Sequence, residues 1–124
     1  MANYKKILIV EDEKVLREMY AERFKKEHLS VTTISDAQEA LQLLKTEKFD
    51  LILLDILLPG LSGIEMLEQL KKESPNFQAN VLIFSNYDDA HTMQKAKELK
   101  TIAYLRKTDY TPSQIVKLVL KKIK

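Results

Sequence analysis

A chain of 124 residues suits one domain around one core, and none of its apolar runs approaches the ~20 residues of a membrane span. It has no cysteine, which excludes a disulfide framework and a thiolate metal site and fits a reducing, cytoplasmic compartment. Its net charge of +2 is unevenly spread: residues 1–62 hold 9 Lys/Arg against 11 Asp/Glu, and residues 63–124 hold 11 against 7.

The N-terminus has no long apolar stretch after its charges, so no signal peptide is expected. Five short apolar runs alternate with five stretches of helical periodicity. Lys5–Val10 reads as a strand and ends in Glu11, Asp12 and Glu13. Lys14–Glu27 follows as a helix, with Val15, Leu16, Met19, Tyr20 and Phe24 on its inner side. Ser30–Ser35 is the second strand. Asp36 then N-caps a helix carrying Ala37, Ala40, Leu41 and Leu44.

Asp50–Asp55 is the third strand, apolar enough to be buried on both faces yet closed by a carboxylate. After the loop from Ile56 to Leu61, Ser62 and Glu65 have capping-box spacing. The helix they open carries Ile64, Leu67 and Leu70 and stops before Pro75. Asn80–Ser85 is the fourth strand. A weaker helix, Asp88–Leu99, carries Ala90, Met93, Ala96 and Leu99. Ile102–Arg106 is the fifth strand, followed by Lys107. The last helix begins near Pro112 and faces Ile115, Val116, Val119, Leu120 and Ile123 inward. The lysines at 117, 121, 122 and 124 have no interleaved aromatics, so they read as a solvated helix face and not as a nucleic-acid surface. Met19, Met66 and Met93 read as core or groove fillers, and His28 and His91 as surface residues.

Strict β–α alternation predicts an α/β fold: a doubly wound, five-stranded parallel sheet of order 2-1-3-4-5, the flavodoxin-like (βα)5 arrangement. That order makes strands one and three neighbours at the topological switch point, where ligand sites form at the strands' carboxyl ends. Glu11, Asp12 and Asp55 converge there, and like charges so placed repel one another. A hard divalent cation, Mg²⁺, resolves the conflict. Asp12 and Asp55 are its expected direct ligands, with Glu11 acting through a water and the Leu57 backbone carbonyl completing the set. Glu11 and Asp12 also have a plainer reading as acids opening the first helix, which leaves Asp55 unexplained. Ser85 and Lys107 end the fourth and fifth strands on the same edge. A metal, a hydroxyl, an ammonium and a carboxylate nucleophile together suit phosphoryl transfer to Asp55.

Over its whole length the chain resembles a response-regulator receiver domain. The matching pieces are Ile7-Leu8-Ile9-Val10-Glu11-Asp12-Glu13, Leu54-Asp55-Ile56-Leu57-Leu58-Pro59-Gly60 with Gly63, Phe84-Ser85, and Tyr104-Leu105-Arg106-Lys107. The resemblance implies that Asp55 takes a phosphoryl group from the phosphohistidine of a histidine kinase or phosphotransfer protein, with Mg²⁺ held by Glu11 and Asp12. It implies that Lys107 pairs with the modified Asp55, that Ser85 moves toward the phosphoryl oxygen and that Tyr104 swings inward. The surface of the fourth helix, fifth strand and fifth helix then changes for an output protein or a second copy of the chain. One receiver domain over residues 1–124, with no output domain, is expected.

The chain departs from that pattern at three positions. Thr108 stands where a proline usually follows the lysine, Asn86 where a small residue usually follows the serine, and Lys100 where a glycine usually ends the fourth helix. Asn86 is expected to narrow access to Asp55. Leu57 and Tyr87 are bulky and apolar or aromatic beside the path of an attacking water, so slow self-dephosphorylation is expected. The chief alternative is a receiver-fold interaction module that does not phosphorylate. A carboxylate-nucleophile phosphatase lacks its second acid at Ile56 or Leu57, and a flavodoxin-type cofactor binder lacks a phosphate-cradling loop after the first strand.

Overall fold

The computed structural model describes residues 4–123. Its elements run β1 Lys6–Val10, α1 Lys14–Lys26, β2 Ser30–Ile34, α2 Ala37–Leu44, β3 Leu51–Leu54, α3 Gly63–Glu73, β4 Asn80–Phe84, α4 Ala90–Glu98, β5 Ala103–Leu105 and α5 Pro112–Ile123, with a 3-10 turn at Lys107–Asp109. All five strands are parallel, in the order β2-β1-β3-β4-β5. The element order is the one the sequence predicts, and the boundaries differ by one or two residues. Asp55 and Ser85 fall just past their strands and not inside them, which places both side chains on the edge.

Strand alternation sorts the core into two layers. Leu8, Val10, Ile52, Leu54, Val81 and Ile83 face α2, α3 and α4, where Leu41, Met66, Leu67, Leu70 and Ala96 meet them. Ile7, Ile9, Leu51, Leu53, Leu82 and Phe84 face α1 and α5, against Tyr20, Phe24, Ile115 and Val119. Because both faces are covered, the inner strands are apolar throughout, which is the signature of a parallel sheet. The helix starts are also as expected. Asp36 accepts the Glu39 N–H at 2.8 Å. Ser62 and Glu65 form a reciprocal capping box at 3.1 and 3.0 Å.

Two expectations about the helices are corrected. Val15 is 80% exposed and does not join the inner side of α1. At ~100° per residue it stands roughly 140° around the helix from buried Tyr20. Met93 is 44% exposed and fills no core space. Ala96 is the one buried residue of α4, and β5 beneath is only half-buried, so that helix sits lightly on the sheet. Met66 is buried and Met19 half-buried, while His28 and His91 are exposed.

The helix ends explain Lys100. Thr101 N–H donates to the Ala96 carbonyl at 3.2 Å and Lys100 N–H to that of Lys97 at 3.0 Å. These two bonds form a Schellman motif, which needs a left-handed residue between helix and strand. Lys100 takes that conformation at φ 62°. His28 does the same after α1, at φ 63°. Lys100 also crowds Lys71, whose ammonium donates to the Leu99 carbonyl and whose pKa is lowered by burial and by the Lys100 charge. Lys100→Gly should therefore raise stability by about 1 kcal/mol, measured as a higher urea midpoint at unchanged slope. Lys100→Ala removes the charge but keeps the strained Cβ, and should gain less. Equal gains would assign the effect to charge and not to backbone.

Candidate functional site

The sheet register builds the site. Val10 pairs with Leu54, so Glu11 and Asp55 emerge side by side. The Asp55 N–H donates to the Val10 carbonyl at 3.1 Å and the Glu11 N–H to that of Ile34 at 3.0 Å. Both residues are thus fixed by continued sheet bonds after the strands formally end. One carboxylate oxygen from each of Glu11, Asp12 and Asp55 lies within 4.8 Å of the other two. Glu11 and Asp55 are buried while Asp12 opens to solvent.

Lys107 reaches this cluster from beyond β5. Its ammonium lies 2.8 Å from Asp55 Oδ2 and 2.6 Å from Glu11 Oε1. Sequence reasoning pairs Lys107 with Asp55 alone, whereas the structure has it bridge two acids from neighbouring strands. Burial alone would lower the Lys107 pKa, but hydrogen bonds and attraction from Asp55 and Glu11 outweigh it and hold the ammonium above the ordinary lysine range. Burial raises the Glu11 carboxyl; the Lys107 contact opposes that rise and the Asp55 charge adds to it.

Contacts that sequence reasoning missed brace the same edge. Arg17 Nη1 donates to the Glu11 carbonyl at 2.8 Å, and Glu13 N–H to Glu11 Oε2 at 3.1 Å. Gly63 packs so close under the Asp55 loop that a Cβ would lie 2.2 Å from the Asp55 carbonyl oxygen. Its own N–H donates to the Ile56 carbonyl at 2.9 Å. The only signal for this close approach is a glycine at the first residue of a good helix.

Ser85 is buried on the same edge, held by its N–H to the Leu105 carbonyl at 2.9 Å. Its hydroxyl accepts the Tyr87 N–H at 3.2 Å and forms no hydrogen bond with Asp55. Tyr104 is half-buried, and its hydroxyl donates to the Tyr87 carbonyl. Burial, with the charges of Asp88, Asp89 and Asp55, pushes that phenol up to about 12. Tyr87 is therefore held on both sides of its backbone, by Ser85 and by Tyr104. Leu57 N–H donates to Asp55 Oδ1 at 3.3 Å, while the Leu57 side chain is 58% exposed. The Lys107–Thr108 peptide is trans. Asn86 is exposed and turned to Thr108, whose N–H its Oδ1 accepts at 3.1 Å.

Residues 7–120 match the family described as response regulator receiver domain. The chain belongs to that family. This receiver domain is 34% identical over 102 residues to sporulation initiation phosphotransferase F of Bacillus subtilis, covering 82% of the chain and 81% of that protein. It is 34% identical over 121 residues to the alkaline phosphatase synthesis transcriptional regulatory protein PhoP of the same species. There it covers 95% of the chain but 49% of the relative, so it spans about half of that protein. A receiver domain protein (CheY-like) from Methanospirillum hungatei superposes with a TM-score of 0.87 at 26% identity, covering 98% of this chain and 94% of that one. No helix among the described residues is long and apolar enough to cross a membrane.

The paired acids make the charge of Lys107 measurable. In Lys107→Met, Glu11 and Asp55 remain buried without a counter-charge, a loss of about 2 kcal/mol for a pair partly open to solvent. Burial raises the Glu11 pKa, so its folded form binds a proton more readily than its unfolded form, and losing the Lys107 contact strengthens that preference. Stability from that proton is present at low pH and lost as pH rises. Urea denaturation with a chelator present should thus show a larger loss at pH 7 than at pH 5. Equal losses at both would contradict the pairing.

Proposed function

We propose that this receiver domain is a phosphorylation-dependent signalling switch whose phosphoacceptor is Asp55. The reading rests chiefly on the Lys107 ammonium, 2.8 Å from Asp55, at a sheet edge that gathers three carboxylates. One ammonium against three carboxylates leaves two formal negative charges. A hard divalent cation suits an all-oxygen cluster of this kind. Glu11, Asp12, Asp55 and the Leu57 carbonyl would hold Mg²⁺, which supplies charge neutralisation for the phosphoryl oxygens.

The covalent step is simple. An Asp55 carboxylate oxygen attacks phosphorus, and the bond from phosphorus to the donor breaks with its electron pair leaving on the donor. The donor is the phosphohistidine of a sensor histidine kinase or phosphotransfer protein; in vitro it is a small acyl phosphate. Lys107, already 2.8 Å from Asp55 Oδ2, stands where it can pair with the arriving phosphoryl oxygens.

Signalling then follows from contacts that differ between two states. The new phosphoryl oxygens give the Ser85 hydroxyl a stronger acceptor than its present role at the Tyr87 N–H. Moving Ser85 frees that amide, and Tyr104, tied to the carbonyl of the same Tyr87, moves with it. The α4–β5–α5 surface changes as a result and is read by an output protein or a second copy of the chain. We place the switch in the cytoplasm and assign residues 1–124 to one receiver domain. The gathered carboxylates favour this reading over a module that has lost phosphorylation, because such a module has no use for a costly cluster of three acids around Asp55.

Acetyl phosphate with Mg²⁺ should add about 80 Da, one phosphoryl group, to the intact mass. Asp55→Asn, or a chelator, should abolish the addition. After the donor is removed the adduct should decay slowly, and faster in a Leu57→Asn, Tyr87→Glu variant. An unchanged mass for the parent protein, or an adduct that survives Asp55→Asn, would overturn the assignment.

A further inference from the structure

Four consecutive residues after β4 are bonded to the segment around Lys107. Ser85 N–H donates to the Leu105 carbonyl at 2.9 Å, and Asn86 Oδ1 accepts from Thr108 N–H at 3.1 Å. The Tyr87 carbonyl accepts from the Tyr104 hydroxyl, and Asp88 pairs with Arg106. Two of these bonds bracket Lys107 along the backbone: one at Leu105 before it, one at Thr108 after it.

The bond at Thr108 depends on both departures in the sequence. A proline at 108 has no N–H to give, and a small residue at 86 has no side-chain acceptor to offer. Each substitution supplies what the other needs, across 22 positions of sequence. A lysine ammonium sits at the end of a flexible four-carbon stem, so its place is set by how firmly its backbone is held. Here that backbone opens a single 3-10 turn, closed by Asp109 N–H on the Arg106 carbonyl at 3.1 Å. Lys107 must nevertheless meet Asp55 and Glu11 at 2.8 and 2.6 Å.

We infer that Asn86 is a positioning residue: through the Thr108 N–H it anchors the turn that delivers the Lys107 ammonium to Asp55. It takes over the restraint that a proline ring would place on this loop. The inference deepens the phosphoacceptor reading and rests on it for its kinetic consequence, while its structural consequence is measurable without phosphorylation.

The test uses the full chain in four forms: parent, Asn86→Ala, Lys107→Met and the double variant. Phosphorylation by acetyl phosphate at saturating Mg²⁺ is followed by intact mass. Asn86→Ala should slow the parent about threefold to tenfold, the span of one net hydrogen bond. In the Lys107→Met background the same change should have no further effect, because a residue that acts through Lys107 has nothing left to place. Separately, Asn86→Ala should speed hydrogen exchange of the Thr108 amide, and Asn86→Asp, which keeps an acceptor there, should restore its protection. An Asn86→Ala effect that adds in full to Lys107→Met, or an unchanged rate, would overturn the inference. So would a Thr108 amide that exchanges equally in all 86 variants. Failure of the parent to phosphorylate would instead count against Asp55 as acceptor, leaving the exchange comparison to decide whether the clamp exists.

Discussion

The structure turns on an electrostatic imbalance that the sheet forces on it. Parallel pairing of β1 with β3 sets Glu11 beside Asp55, and the next residue after Glu11 adds a third carboxylate within 4.8 Å. No packing preference favours this, since apolar residues would cost less at a buried strand end. The fold tolerates the cluster because the core behind it is large and two-sided, and because Lys107 bridges the two buried acids. The remaining negative charge suits a divalent cation, which in the proposed function would screen an anionic phosphodonor as it nears Asp55.

Around this edge the loops divide the labour. The loop after β3 is held rigidly, by the Asp55 and Gly63 backbone bonds and by the close fit of Gly63 under the Asp55 carbonyl. The loop after β4 is held by two bonds that can exchange, a hydroxyl on an amide and a phenol on a carbonyl. A fixed Asp55 beside movable hydroxyls suits the proposed switch, because the attacking carboxylate stays in place while its neighbours reorganise. The light seating of α4, with Ala96 its only buried residue, lowers the cost of such movement on that face.

Much of this is legible in the amino-acid sequence. The apolar runs of the inner strands, the capping signals at Asp36 and Ser62, and the acids after Val10 and Leu54 located the sheet and brought Glu11, Asp12 and Asp55 to one edge. At Lys100 the resemblance marks only a position where a glycine usually ends the helix; that the turn needs a positive φ there comes from the structure. Val15 and Met93 misled because an apolar residue near a helical stripe is not on it unless its angle agrees. The Glu11–Lys107 bridge and the Asn86–Thr108 bond were not legible for a different reason. Each joins loops far apart in sequence, and their contact depends on the register of strands between them, which periodicity does not specify. Asn86 in particular looked like an obstruction to Asp55. The structure turns its side chain toward Thr108.

The claim on which the rest depends is that the β1–β3 edge carries uncompensated negative charge that a divalent cation neutralises. Titrating isotopically labelled protein with substoichiometric Mn²⁺, and following amide signals by NMR, tests it directly. Paramagnetic broadening should appear first at Glu11, Asp12, Glu13, Asp55, Ile56 and Leu57, and excess Mg²⁺ should reverse it. Broadening scattered over the other surface carboxylates, with these six amides spared, would contradict it.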